Sequence, residues 1–150
     1  MISKILVALD GSEHATRALS YAIDLADKYS ASITLLSVAH HTIYIPATDD
    51  SMDFVTPQVI QECMEAEKMQ KEKMLLQALE KIKKGKPNLH VTTKLKEGRP
   101  ADKIIETAKE ENVDIIVMGS RGLGGIKQLF LGSVSDRVAD EAPCPVLIVK

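Results

Sequence analysis

The sequence has no tryptophan, three tyrosines and two phenylalanines, so aliphatic side chains must build its core. It has two cysteines, Cys63 and Cys144, far apart and neither in a C-x-x-C pattern. A metal or redox pair therefore lacks support, and two reduced thiols in a cytoplasmic protein are expected. Neither sign of charge is in excess. With 19 basic residues against 21 acidic ones, no electrostatic footprint points to nucleic acid or an anionic membrane. Long apolar runs are missing too: the one within residues 1–11 is too short for a signal peptide or a membrane span and leads straight into a strand. No G-K-[ST] follows any glycine loop, which excludes a Walker A site, and no G-x-G-x-x-G is present to mark a dinucleotide fold. What remains is a 150-residue chain, 45% hydrophobic and 27% charged, expected to form one soluble α/β domain over residues 1–150.

That chain is organised around residues 114–133, DIIVMGSRGLGGIKQLFLGS. Ile115, Ile116, Val117 and Met118 have the length and β-branching of a buried parallel strand, which stops at Gly119. Glycines at 119, 122 and 132 follow in the spacing G-x2-G-x9-G, with Ser133 next and a helical pattern beginning there. Glycines admit a ligand close to the backbone, and a helix start offers unpaired N–H groups at a positive dipole end. The stretch reads as a phosphate cradle. Taken singly, each glycine also reads as a turn, and Ser133 with Asp136 as an ordinary capping box.

Earlier, residues 5–9 read as a central strand that ends at Asp10-Gly11-Ser12, both a turn and a helix start. Alanines at 15, 18, 22 and 26 recur at helical spacing and would let that helix lie close to a sheet. A second strand spans 33–38. Residues 39–57 show no periodicity, and a loop of that length has a job or is mobile. Its adjacent His40 and His41 would point to opposite sides of an extended segment and lack a third ligand, so no metal site is expected there. Residues 58–84 form the longest helix, with its apolar stripe (Leu75, Ala78, Leu79, Ile82) in the second half and a less firmly docked start. A third strand at 90–95 alternates and belongs near a sheet edge. Arg99-Pro100 opens a helix, and residues 146–149 make a fifth strand, wholly apolar. Strict strand–helix alternation predicts a parallel sheet covered on both faces.

The run MGSRG, nine further residues and then GSVSDRVADEAPCPVLIV resembles the universal stress protein family in its ATP-binding branch. Residues 4–12, KILVALDGS, resemble the family's opening, and residues 97–101, EGRPA, its segment before the third helix. The resemblance covers essentially the whole chain and is weakest between residues 40 and 90. It implies an open five-stranded sheet of order 3-2-1-4-5, Rossmann-like and similar to adenine nucleotide alpha hydrolases. Strands 1 and 4 are then neighbours at a switch point, where ligands bind beyond the strands' carboxyl ends. It further implies an adenine pocket lined by Ala8, Val38 and Met118, with Val134 giving an amide to phosphate. Phosphates would lie on the amides of Gly119, Gly122, Gly132 and Ser133, with Mg²⁺ accompanying them. Asp10 would repel an unscreened phosphate, so it belongs on the sugar or base side, or beside a cation, unless it merely caps the first helix. Arg121 and Lys127 are nearby cations for which solvated roles are equally open. No activated nucleophile or water-positioning base stands beside the loop. The resemblance implies a regulatory ATP-binding homodimer with little or no hydrolysis and an unidentified protein partner. An ATP-hydrolysing or nucleotidyl-transferring enzyme, or an interaction module without nucleotide, are the alternatives. Residues 146–149, an apolar edge strand followed by Lys150, would pair with a two-fold mate, helped by Leu129, Phe130 and Leu131.

Overall fold

A computed structural model of the chain describes residues 1–40, 56–122 and 131–150. The elements run β1 (Lys4–Ala8), α1 (Glu13–Tyr29), β2 (Ser32–Ala39), α2 (Pro57–Gly85), β3 (Val91–Glu97), α3 (Pro100–Glu111), β4 (Ile115–Gly119), α4 (Ser133–Glu141) and β5 (Val146–Val149). The strand ends lie within two residues of those read from the sequence. All neighbouring strands pair in parallel, in the order β3-β2-β1-β4-β5. The sheet is the five-stranded, order 3-2-1-4-5 arrangement that the resemblance implies.

Ile5, Leu6 and Val7 of β1 are wholly buried because both faces of the central strand are covered. Ile5 and Val7 pack with the alanines of α1 and with Leu75 and Ile82 of α2. Leu6, pointing the other way, packs with Ile104, Ile105 and Ala108 of α3 and Val138 of α4. α1 and α2 therefore cover one face of the sheet and α3 and α4 the other. Alanines 18, 22 and 26 have no exposed surface, so α1 lies close to the strands as its small stripe predicts. The buried residues of α2 are Leu75 and Ile82, both in its second half, while Met69 in its first half is 71% exposed. Among the described residues β3 is an edge strand paired to β2 alone, with residues 93–96 half-buried. Among the described residues no helix is long and apolar enough to cross a membrane. Both cysteines are free, and burial pushes the Cys144 thiol up.

Asp114 fastens the amino edge of β1 to β4. Its Oδ2 accepts hydrogen bonds from Ser3 N (2.8 Å), Ser3 Oγ (2.7 Å) and Lys4 N (2.9 Å). The Ser3 backbone N–H, then its hydroxyl, then the Lys4 N–H hold the carboxyl down at about 2. A carboxyl with a depressed folded pKa stabilises the fold above its unfolded pKa of about 3.9, and that contribution fades as pH falls through the folded value. Asp114→Asn should therefore unfold at lower urea than the parent at pH 7. The gap between them should close between about pH 4 and 2. A gap that stayed constant over that window would assign the loss to shape rather than to charge.

Candidate functional site

Because β1 and β4 are neighbours and both run in the same sense, the loops leaving them cross the same carboxyl edge of the sheet. Between them lies a cavity of about 560 Å³, within the size range of small-molecule sites. One wall is apolar. Ala8, Val38 and Met118 fall on the sheet face that carries α3, joined there by Leu36 and Ile104. The small Ala8 between larger neighbours leaves room that a longer side chain would fill. The other wall carries the Asp10 carboxylate and the loop and helix-start residues Gly119, Gly122, Gly132, Ser133 and Val134. All nine residues singled out in the sequence therefore line one cavity.

Their individual roles differ from the sequence reading. Ser12, not Asp10, caps α1: its Oγ accepts from Ala15 N at 3.2 Å. Asp10 stands one step back, with Oδ1 accepting from Ser12 N at 2.9 Å across a turn that Gly11 makes at φ 88°. The other carboxylate oxygen faces the glycine loop, since a Cβ built on Gly122 would lie 2.6 Å from Oδ2. The two loops meet because both fold over the same strand ends, and Asp10, expected on the sugar or base side or beside a cation, has this oxygen against Gly122.

The glycines themselves divide into three uses. A Cβ on Gly119 would stand 2.8 Å from Ala15 N, from the carbonyl carbon of His14 and from its Cβ, so this glycine lets α1 lie on β4. Gly132 is the N-cap of α4, and its N–H donates to Ser120 O at 2.8 Å. That amide, assigned to phosphate from the sequence, already has a partner. The capping box of Ser133 with Asp136 does not form: Ser133 is the first helical residue, Gly132 is the N-cap, and among the described residues no side chain caps the end. Ser135 instead donates from Oγ to Ser120 O (2.9 Å) and Gly132 O (3.0 Å). The first-turn amides of Ser133 and Val134, which have no partner inside a helix, remain at the cavity. Gly122 alone borders Asp10.

Two bonds stitch the loops together. His14 Nδ1 and Ser120 Oγ lie 2.8 Å apart, and Ser12 Oγ donates to Arg121 O at 3.3 Å. Both link residues more than a hundred positions apart, and no local pattern could have shown them. Arg121 reaches the cavity, and so do Lys71 of α2 and His40, neither of which the sequence reading places there. Lys71 could have been found from its spacing, four residues before the buried Leu75. Lys127, Leu129 and Phe130, like His41 and most of the 39–57 loop, lie outside the described residues. Among the described residues no group of three or more His, Cys, Asp or Glu is placed to hold a metal. Asp10 is the one carboxylate lining the cavity among them.

Comparison with known proteins gives consistent relatives. The sequence profile of the Universal stress protein family matches residues 1–150. Universal stress protein YxiE of Bacillus subtilis (strain 168) is 36% identical over 150 residues, covering the whole of both chains. The solved universal stress protein UspA from Lactobacillus plantarum superposes with a TM-score of 0.84 at 26% identity, over 99% of this chain and 98% of the other. Two more distant structures hold nucleotides. One is a universal stress protein in complex with cAMP (TM-score 0.67, 24% identity, 99% and 97% covered). The other is a family member from Arabidopsis thaliana with AMP bound (TM-score 0.66, 22% identity, 99% and 91% covered).

Proposed function

The chain belongs to the universal stress protein family, and we propose that it binds an adenine nucleotide, ATP foremost, as a regulatory ligand in the cavity between the β1 and β4 loops. The observation that carries this is the meeting of two unlike walls in one cavity. Ala8, Val38 and Met118 offer a flat apolar slot of the kind a purine ring needs. Ser133 and Val134 present the start of α4, where unpaired amides and the helix dipole favour phosphate. The neighbours that hold cAMP and AMP are too distant in sequence to establish more than the fold, so the ligand class rests on these residues.

Asp10 sets the direction of the phosphates. Two unit charges at about 4 Å repel by roughly 1 kcal/mol in water and by several in a partly dry site. Phosphates therefore run from the adenine slot toward Ser133 and Val134 rather than onto Gly122. A Mg²⁺ bound with the nucleotide would take one ligand from the Asp10 oxygen that faces Gly122 and the rest from phosphate and water, and would neutralise that repulsion. Turnover is slow or absent. Asp10, the carboxylate nearest the loop, already accepts the Ser12 N–H through one oxygen. The nucleotide acts by changing which protein partner the chain meets.

The working form is a homodimer. Val146, Leu147 and Ile148 of the edge strand β5 are half-buried and apolar, a surface that invites pairing with a second copy. Sedimentation equilibrium at tens of micromolar tests this, and a monomer there ends it. The nucleotide is tested by heat-releasing whatever co-purifies, by titrating ATP calorimetrically and by following phosphate under multiple turnover. Absence of ATP and AMP binding would remove the reading. Turnover at enzymatic rates would replace a regulator with an ATPase.

A further inference from the structure

α2 has 29 residues and a length of about 43 Å, well beyond the roughly 26 Å of the eight-residue β2 it packs on. It connects two parallel strands, so it runs against them and its first half stands beyond the carboxyl edge of the sheet, beside the cavity. Below that edge its inward face is apolar, with Leu75, Ala78, Leu79 and Ile82. Above it the same face turns charged. Glu67 accepts the backbone N–H of His40 at 3.0 Å, at the end of β2, and Lys68 pairs with Glu97 at 2.6 Å, at the end of β3. Lys71, one turn before Leu75, comes next on this face, is half-buried and lines the cavity. Among the described residues it has no carboxylate partner.

With Lys68 already paired to Glu97 and Glu67 already accepting the His40 N–H, the Lys71 cation beside the cavity is short of an anion. Resting on the nucleotide reading above, we propose that Lys71 binds the outer phosphates of ATP and so couples the nucleotide's phosphate number to the docking of the first half of α2. AMP fills the apolar slot and brings one phosphate to Ser133 and Val134. ATP adds the negative charge that Lys71 lacks, in the cavity that Arg121 also lines. Among the described residues the first half of α2 has no buried side chain, and polar tethers at Glu67 and Lys68 hold it, so one added charged contact there changes its stability appreciably. The exposed side of that half, including Met69, becomes a surface that reports the triphosphate to a partner.

Calorimetric titration of ATP and AMP, with hydrogen exchange over residues 57–73, tests this in the parent and in Lys71→Gln and Lys71→Arg. Lys71→Gln should weaken ATP about tenfold and AMP less than twofold. Lys71→Arg should restore most of the loss. ATP, but not AMP, should slow exchange in 57–73 of the parent and fail to do so in Lys71→Gln. An unchanged ATP affinity in Lys71→Gln, or an equal loss for ATP and AMP, would overturn the assignment while leaving the nucleotide site in place. Exchange in 57–73 that responds to ATP equally in parent and Lys71→Gln would overturn the coupling. A parent that binds neither nucleotide would overturn both the reading beneath and the role of Lys71.

Discussion

Gly119→Ala should lower the stability of the protein by about 3 kcal/mol, a change visible as a large fall in the urea midpoint with an unchanged slope. The methyl group would stand 2.8 Å from three atoms of α1, two of them backbone and one the His14 Cβ. Van der Waals contact needs about 3.5 Å or more, so something must move. A flexible side-chain tip could swing aside, but Ala15 N and the His14 carbonyl carbon belong to the first turn of a helix fixed from three directions. Ser12 caps that turn, the His14–Ser120 bond ties it to the loop after β4, and Ala18 and Ala22 seat the helix on the sheet. Moving α1 outward would open a gap along that small-residue seam, and loss of packing adds to the cost of overpacking. Against a total stability of 5–15 kcal/mol for a domain, the variant would sit near the edge of folding at 37 °C. A Gly119→Ala protein with parental stability and only weaker nucleotide binding would show that this glycine serves the ligand, as the sequence pattern alone suggests.

The three glycines show where sequence reasoning stops. Residues 119, 122 and 132 share one spacing, and the spacing says only that a Cβ is unwelcome at each. What would be hit is a matter of tertiary neighbours: the backbone of α1 at the first, the Asp10 carboxylate at the second, the Ser120 carbonyl at the third. The strands were legible because Ile5 to Val7 and Ile116 to Met118 carry unbroken apolar runs, which only a doubly covered parallel sheet accommodates. Their order was not contained in those runs; it came with the family resemblance. The sequence offers Asp10 as a cap of α1, whereas Ser12 is the cap, and either side chain can accept an N–H. The choice turned on Gly11, whose positive φ sets Asp10 back from the helix. Lys71 was legible only through its spacing from Leu75: in a segment as charged as 65–73, composition gives a lysine that points inward the same context as one that points to water.

Gly122→Val should weaken ATP binding by about a hundredfold, roughly 2.7 kcal/mol, with stability within about 1 kcal/mol of the parent. Gly122 is exposed, and its backbone does not adopt the left-handed conformation that would exclude a side chain. The fold has no need of it. The cavity does, because the new Cβ would lie 2.6 Å from Asp10 Oδ2 and the valine methyls would extend over the slot. Asp10 cannot simply rotate away, since its other oxygen holds the Ser12 N–H at the start of α1. The valine therefore displaces a carboxylate placed to meet the nucleotide's cation and also fills space the ligand needs. A double-mutant cycle with Asp10→Ala separates these effects. If the displaced carboxylate dominates, Gly122→Val should cost little in an Asp10→Ala background. If filled space dominates, the two losses should add. Parental ATP affinity in Gly122→Val would take Gly122 out of the site. A rise in ATP affinity in Asp10→Ala alone would mean that Asp10 only repels phosphate, and the orientation drawn here, with phosphates running to Ser133 and Val134 and a cation at Asp10, would have to be reversed.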